Sequence, residues 1–406
     1  MTEPPGTIRQ IAWRELFPWL ILLRTFRIAI SPTLLALATV AILLTPLGWN
    51  IASRLFLNQD QARRLAQSPG LLEPAIPSQV QAYLPDSVRV PLLDAYFELS
   101  ELLARCFQLE LTLGETAFYA FGFLWTLAVW AFPGGVITRR AVVQLATDDP
   151  PGLRPTIKYV GSRYLWYFLA PLYPLLGLVL LAVPIMLLGL VLRLSPGFGA
   201  LVAGLAWLLV AIAGVGAMWL FGGLIFGWPL MWPTISAERD GDPFEAFSRS
   251  YSYVYGKPLH YFFYVIVAAA LGALSWAIVW GAAVLVREFG FWALAWGGGG
   301  LAVTEIRAQA LDIAAGEFDW LHDEALWKFG TTLIGLVVAL IHAVAAAFRF
   351  SFFFCAASAI YLLLRHDVDE KEMDEVYLDA SAPENSPPTR PLATVVTDSP
   401  PGSGAA

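Results

Sequence analysis

The chain has 406 residues, of which 58% are hydrophobic and 14% are charged. An ordinary soluble domain is about 25% charged, so this composition excludes an array of water-soluble domains and indicates one membrane unit. The net charge of −7 and the lack of a basic patch argue against nucleic acid as a partner. The two cysteines, Cys106 and Cys355, fall in separate predicted elements and offer no disulfide framework.

Six long runs of the sequence contain no Asp, Glu, Lys or Arg. A hydrocarbon core about 30 Å thick is crossed by about 20 apolar helical residues, and each run is long enough to do so. The sequence therefore predicts an all-α integral membrane protein with about six transmembrane helices and additional interfacial helices. The predicted spans are 29–50, 117–138, 165–192, 199–227, 259–286 and 330–364, within one membrane domain at 29–365.

The orientation of the spans is predicted from the connections between them. Lys and Arg are denser in the connections that lie on the same side of the membrane as the N-terminus. We therefore expect a bacterial inner-membrane protein with both termini in the cytosol. A cytosolic amphipathic segment at 1–28 precedes the first span, and external insertions are predicted at 54–115 and 287–328. The tail at 366–406 is acidic and then rich in Pro and Ser, which predicts a disordered cytosolic segment.

Two segments outside the spans are candidate contacts for a protein partner, in addition to the lipid bilayer. Apolar residues recur at helical spacing in the external segment 85–115, and the face they form either packs on the bundle or binds a partner. These residues are Leu92, Tyr96, Leu99, Leu103 and Phe107. The C-terminal tail either tethers a partner or is an inert terminus.

The fourth connection contains start and stop signals for a short interfacial helix. Asp242 is placed to cap its N-terminus, Pro243 suits the first helical position, and Glu245 is placed to complete a capping box. Gly256 is placed to end the helix before Pro258. We therefore predict structural capping roles for Asp242, Glu245 and Gly256.

A shift of 94 residues aligns this connection with the second connection without a gap. Seven aligned positions are identical, including Tyr159 with Tyr253, and Arg163 meets Lys257. Spans two and three are thereby predicted to repeat spans four and five in the same orientation.

Residues 235–251, with Gly256 and Lys257, combine an acidic turn, a Glu-Ala-Phe-x-Arg-Ser helix and a glycine before the next span. This pattern resembles that of an uncharacterised bacterial polytopic membrane family related to the membrane domain of some glycerophosphodiester phosphodiesterases. The soluble phosphodiesterase barrel and its acidic metal ligands have no counterpart in the sequence. The resemblance therefore implies a fold and a membrane location, but no activity.

The sequence offers few residues for catalysis or metal binding. Its four histidines form no His-Glu-x-x-His pair and no Cys/His zinc spacing, and no phosphate-binding loop is present. Asp319, His322 and Asp323 share a helix face that is either solvated or a loose cation site. We predict no catalytic residue, no metal and no cofactor.

Arg349 and His342 are the candidate functional residues, because Arg349 interrupts the otherwise apolar stretch 329–364. As a helix this stretch reaches about 54 Å and overshoots a membrane. If Arg365 marks the inner surface, Arg349 stands about 24 Å above it and snorkels outward. If the helix is centred, Arg349 lies deep and faces a polar cavity with His342 two turns away.

Charged residues are nearly confined to the predicted interfaces, whereas transporters place several ionisable groups within the membrane. This distribution favours a non-enzymatic membrane-organising or interaction protein. A transporter or a permease for lipids or small molecules, using a cavity near Arg349, is the alternative. A membrane-embedded enzyme is a second alternative.

Overall fold

A computed structural model describes residues 17–66, 96, 112–315 and 324–378 of the chain. Across these residues the fold is almost entirely helical and contains no strand, so the predicted all-α class is confirmed. A 3₁₀-helix (Pro18–Leu23) leads into α1 (Arg24–Ala29), α2 (Pro32–Phe56), α3 (Gln59–Ala66), α4 (Leu113–Thr147), α5 (Leu153–Ser162), α6 (Tyr164–Leu169), α7 (Leu172–Leu194), α8 (Pro196–Ala237), α9 (Pro243–Gly256), α10 (Pro258–Gly298), α11 (Gly300–Ala315) and α12 (Ala325–Asp369).

Six helices of the described part are long and apolar enough to cross a membrane, namely α2, α4, α7, α8, α10 and α12. The protein is therefore a multi-pass α-helical membrane protein. Three of the six helices have more than 40 residues. Because a helix rises about 1.5 Å per residue, each of these three exceeds about 60 Å and extends well past a hydrocarbon core of about 30 Å.

Local sequence signals explain where several helices begin. Proline occupies the first turn of α2, α8, α9 and α10, where its missing N–H costs no hydrogen bond. The start of α4 is a capping box, in which the Glu115 carboxylate accepts from the Thr112 N–H at 2.8 Å. Asp148 ends α4 in the left-handed conformation, with a φ of 66°.

The C-terminal halves of α4, α8 and α12 meet at one end of the bundle, which we call the compact end. Residues 350–365 of α12 are all buried there. Gly134 of α4 lies directly against the Trp232 indole of α8, and that indole stacks on Phe354 with ring centroids 5.1 Å apart. The small glycine therefore lets three helices approach closely around an aromatic core.

Helix α7 and the N-terminal part of α8 form a hairpin that packs little on the rest of the bundle. Only 6% of the most apolar stretch of each helix is buried, against 56% for α4. The turn between them requires a glycine at position 199, because a Cβ there would stand 2.3 Å from the Leu192 Cα. Most of the hairpin surface is consequently available to lipid or to another membrane protein.

The two aligned connections share a backbone break. Helix α5 ends at Ser162 and α9 ends at Gly256, which correspond under the shift of 94 residues. The next residues, Arg163 and Lys257, both leave the helical conformation, with φ values of −113° and −135°. A new helix follows each break, but α6 ends at Leu169 whereas α10 continues to Gly298, so the copies differ beyond the break and the repeat stays a prediction.

The ends of the predicted domains differ from the helix boundaries. Helix α10 continues to Gly298, past the predicted end of its span at 286, and α12 continues to Asp369. The first residues of the predicted tail also fold back on the bundle, since the Tyr377 N–H donates to the Ala237 carbonyl at 2.9 Å. Residues 379–406 lie outside the described residues.

Tyr96 is the described residue of the apolar face predicted in 85–115. Its hydroxyl donates to the Ile225 carbonyl at 2.8 Å, and its ring stacks on Trp228 with centroids 6.2 Å apart. This part of the face therefore packs on the bundle. The other predicted members of the face, Leu92, Leu99, Leu103 and Phe107, lie outside the described residues.

Candidate functional site

A buried ionic cluster lies at the compact end, centred on Glu238 just after α8. The Arg365 Nε stands 2.8 Å from the Glu238 Oε1, and the Arg249 and Lys371 nitrogens each stand 3.6 Å from a carboxylate oxygen. The Tyr361 hydroxyl donates to Oε1 at 3.0 Å. We call these five residues the Glu238 cluster.

Burial makes the central pair of this cluster interdependent. The side chains of Arg365 and Glu238 are only 4% and 11% exposed, so neither charge keeps its hydration. The Arg365 Nε–H is not aligned for a hydrogen bond although it is close to the carboxylate, so charge attraction holds the pair. Removing Glu238 would leave the Arg365 guanidinium as an uncompensated buried charge.

The cluster continues onto the carbonyl end of α8, where the last carbonyls of a helix lack partners within it. The Ile235 carbonyl accepts from the Tyr159 hydroxyl at 2.8 Å, and the Ser236 carbonyl accepts from Arg139. Arg163 donates to the carbonyls of Glu238 and Arg239. Cations at this position also offset the negative end of the helix dipole.

Arg139 and Arg163 share an aromatic partner as well. Their Cζ atoms lie 4.0 Å and 4.4 Å from the centroid of the Tyr159 ring, within cation–π range. The Tyr377 ring also lies close to both guanidinium groups, with Cζ-to-centroid distances of 6.0 Å and 5.7 Å. The segment after α12 is thus held against the end of α8.

Tyr253 and Tyr167 in this region are both engaged in hydrogen bonds. Burial, followed by the hydrogen bond to Asp369, raises the pKa of Tyr253. Burial also raises the pKa of Tyr167, whose hydroxyl pairs with the Ser236 hydroxyl at 2.9 Å. Both phenols therefore stay protonated, and each is engaged with a structural partner rather than poised as a base.

A second ionic cluster lies in the other half of the bundle and contains the predicted candidate His342. The His342 Nε2 of α12 lies 2.9 Å from the Arg287 Nη1 of α10. The Arg287 Nη2 pairs with Glu288 at 2.8 Å, and Arg307 of α11 pairs with the same carboxylate at 3.0 Å. We call Arg287, Glu288, Arg307 and His342 the His342 cluster.

Arg349, the other predicted candidate, lies seven residues from His342 on α12. Its Cζ is 5.8 Å from the Trp276 ring centroid, Trp276 stacks on Trp280, and Trp280 stacks on the His342 ring. The two candidates are therefore linked through stacked indoles.

The depth of Arg349 follows from its neighbours. The Ser351 hydroxyl donates to the Ala29 carbonyl at 2.8 Å, so Arg349 lies near the level at which α2 begins. About 20 charge-free residues, or about 30 Å of helix, separate Lys328 from Arg349. Arg349 therefore lies at the end of a charge-free stretch that is long enough to cross a membrane.

Arg365, considered above as a marker of the inner surface, is instead 3% exposed within the Glu238 cluster.

Of the predicted capping residues, Asp242 precedes α9, and Glu245 and Gly256 lie within it. Asp242 occupies the N-cap, and its Oδ1 accepts from the Glu245 N–H at 2.7 Å. The predicted capping box is wrong, because the Asp242 N–H donates to the Asp240 carbonyl and the Glu245 carboxylate binds Arg249 at 2.7 Å. The Glu245 carboxylate is therefore bound by Arg249 and does not cap the start of the helix. Gly256 is the last residue of α9.

Loss of the α9 cap gives a testable result. We expect Asp242→Ala to lower the unfolding free energy by about 1 kcal/mol, because the Glu245 N–H loses its acceptor. Asp242→Asn keeps an acceptor oxygen and should stay within a few tenths of the wild type. SDS titration of the purified protein in micelles measures both, and equal losses for the two variants would contradict the capping role.

Among the described residues, no group of three or more His, Cys, Asp or Glu side chains is arranged to hold a metal ion. The acidic face with Asp319, His322 and Asp323 lies outside the described residues. The ionisable groups of the Glu238 cluster bind one another or helix ends, an arrangement that serves to hold helices together.

Sequence reasoning missed the Glu238 cluster, in which the Tyr361 hydrogen bond alone joins residues 123 positions apart in the chain. The sequence did contain an indication of this site, because Glu238 is the first charged residue after the charge-free run that begins after Arg193. No protein-family model, curated protein or solved structure matches this chain. The resemblance to the bacterial polytopic family stays a prediction.

Proposed function

We propose that this multi-pass membrane protein is non-enzymatic and organises other membrane proteins by packing their helices against the α7–α8 hairpin. We also propose a bacterial inner-membrane location with both termini in the cytosol, on the strength of the Lys and Arg distribution. The compact end serves as the rigid base from which the hairpin extends.

The observation that carries the proposal is a row of small residues on the exposed side of α8, which the exposed Trp207 interrupts between Gly204 and Ala211. These residues, which we call the α8 stripe, are Gly197, Ala200, Gly204, Ala211 and Gly214. A Cβ added at any of its three glycines would meet nothing within 4 Å. Small residues let helix backbones approach closely in lipid, so an uncovered line of them suits a helix from another protein.

The opposite side of α8 provides an internal comparison. Gly216 there faces Leu181 of α7, with 3.5 Å from its Cβ position to the leucine Cδ1, and Gly177 of α7 faces Leu220 at 3.1 Å. Small residues on that side are thus used for packing within the hairpin. The α8 stripe has the same composition but no helix on it within the described chain.

Photo-crosslinking in native membranes tests the proposal. A photoreactive residue at Leu208, one turn from Gly204, should yield a discrete protein adduct on gels. Gly204→Leu fills the stripe and should reduce the adduct at least about tenfold, equivalent to about 1.4 kcal/mol of packing energy. Leu209→Phe adds bulk on a different exposed side and is the matched control. An adduct that survives Gly204→Leu, or no adduct at all, would refute the proposal.

A transporter is the second candidate, and the His342 cluster is the observation that favours it. Arg287 and His342 both lie inside helices long and apolar enough to span a membrane, and such residues often belong to ion or substrate pathways. Proteoliposomes with an internal pH-sensitive dye test this alternative. Voltage-driven proton entry that is lost in Arg349→Ala would support it, and tight proteoliposomes would exclude a proton-coupled transporter.

A further inference from the structure

The hydrogen bond between Arg287 and His342 fixes the protonation of the imidazole. A guanidinium group has five N–H donors and no acceptor, so the His342 Nε2 must accept the bond at 2.9 Å. An accepting Nε2 carries no proton, and the ring is then neutral with its hydrogen on Nδ1. The hydrogen bond from Arg287 can therefore form only when the His342 ring is neutral.

The surroundings of His342 are rich in cations. Arg287 and Glu288 come from α10, and Arg307 of α11 holds the second oxygen of the same carboxylate. The other charged residues of these helices are Glu305 and Asp312 on α11, and Lys328, Arg349, Arg365, Asp367 and Asp369 on α12 itself. Helices α2 and α4 also pack on α12, and they carry no charged residue between Arg27 and Arg54 or between Glu115 and Arg139.

We infer that His342 is a proton-binding site that controls the position of Arg287. One proton from water adds to the Nε2 lone pair, no other covalent bond changes, and the bond from Arg287 is lost because both nitrogens are then donors. Two cations at 2.9 Å repel each other, so the Arg287 side chain must move. The imidazolium itself gains a cation–π contact with Trp280, on which it already stacks at 5.6 Å.

The displaced guanidinium has one nearby acceptor on its own helix. Glu288 is the acidic residue of α10, and Arg287 already binds its Oε1. The freed Nη1 is therefore drawn to this carboxylate, where it competes with Arg307. Since Arg307 is the ionic link from α11 to the cluster, protonation of His342 loosens α11. This inference stands on contacts separate from the α8 stripe and does not depend on the proposed function.

Nitrogen NMR of ¹⁵N-histidine protein in lipid nanodiscs tests the first step. The chain has only four histidines, and His342→Gln assigns the signal of interest by its loss. At neutral pH we expect His342 to be the Nδ1–H tautomer with a bare Nε2, and Arg287→Gln should mix the tautomers. An Nε2–H tautomer or an imidazolium at neutral pH would overturn the inference.

A spin label on α11 tests the second step. Thr304→Cys, in a chain whose Cys106 and Cys355 are replaced by Ala, places the label on an exposed position of α11. The label should become more mobile when the pH is lowered from about 8 to about 4, a window that extends below the ordinary histidine range because the Arg287 cation opposes protonation of the ring. His342→Gln keeps an acceptor for Arg287 without titrating and should abolish the change, whereas His260→Gln should preserve it. A constant mobility, or an equal response in His342→Gln, would refute the coupling to α11.

Discussion

Glu238→Gln should lower the unfolding free energy by about 3–5 kcal/mol, the largest loss we expect from a single conservative change in this protein. The substitution keeps the shape of the side chain but removes the charge that faces Arg365 at 2.8 Å. Arg249 and Lys371 also lose their acidic partner at the same carboxylate. A buried guanidinium is then left uncompensated. SDS titration in micelles, followed by circular dichroism, measures the loss.

Glu245→Gln is the matched control for this prediction. It removes a carboxylate that also binds Arg249, but the pair is more exposed and lies within one helix at i and i+4. Such pairs contribute about 0.5 kcal/mol, so the variant should stay close to the wild type. If Glu238→Gln behaves like Glu245→Gln, the Glu238 cluster does not hold the compact end together.

Gly134→Ala should destabilise the protein by about 1–3 kcal/mol, although it adds a single methyl group. The new Cβ would stand 2.2 Å from the Trp232 Cζ3 and 3.1 Å from the Phe354 Cζ. The indole cannot rotate away freely, because its Nε1–H donates to the Tyr167 carbonyl at 2.8 Å. Helices α4 and α8 must therefore move apart, which the midpoint of the same SDS titration would report.

Gly189→Ala separates this steric effect from helix propensity. Gly189 lies in α7, and a Cβ there would meet nothing within 4 Å. The alanine should leave stability unchanged or raise it by up to about 1 kcal/mol, since glycine costs a helix conformational entropy. A loss in Gly189→Ala as large as that in Gly134→Ala would mean that close packing at Trp232 is not the cause.

The spans could be read from the sequence because their signal is local. A run without charges, such as the one between Lys257 and Arg287, records in adjacent residues whether a segment can enter lipid. The N-cap at Asp242 was equally local, as it depends on the four consecutive residues 242–245. The capping box failed because Glu245 had a competing partner one turn later, Arg249, which the motif does not take into account.

The ionic clusters could not be predicted in the same way. His342 and Arg287 are 55 residues apart, and their contact depends on how α10 and α12 pack. Arg365 shows the same limit, since its place beside a long apolar run indicated a surface position. The tertiary fold buries it against Glu238 instead. Pairing of charges between helices depends on packing, which hydropathy does not encode.

The two halves of the molecule suggest different roles for its helices. At the compact end, buried aromatic rings and the Glu238 cluster fix the relative positions of α4, α8 and α12. The α7–α8 hairpin instead exposes most of its apolar surface and the α8 stripe. A rigid base with an uncovered helix pair is suited to presenting a surface to neighbours in the bilayer.

Oxygen accessibility of spin labels along α8 reports whether a helix from another protein covers the α8 stripe. Labels at successive positions from 198 to 215 would be measured in native membranes and again in nanodiscs that hold one purified chain. We predict lower accessibility in native membranes at positions next to the α8 stripe, such as Leu208, and no change at Leu209. Equal accessibility in both preparations at every position would contradict the account, because lipid alone would then cover the stripe.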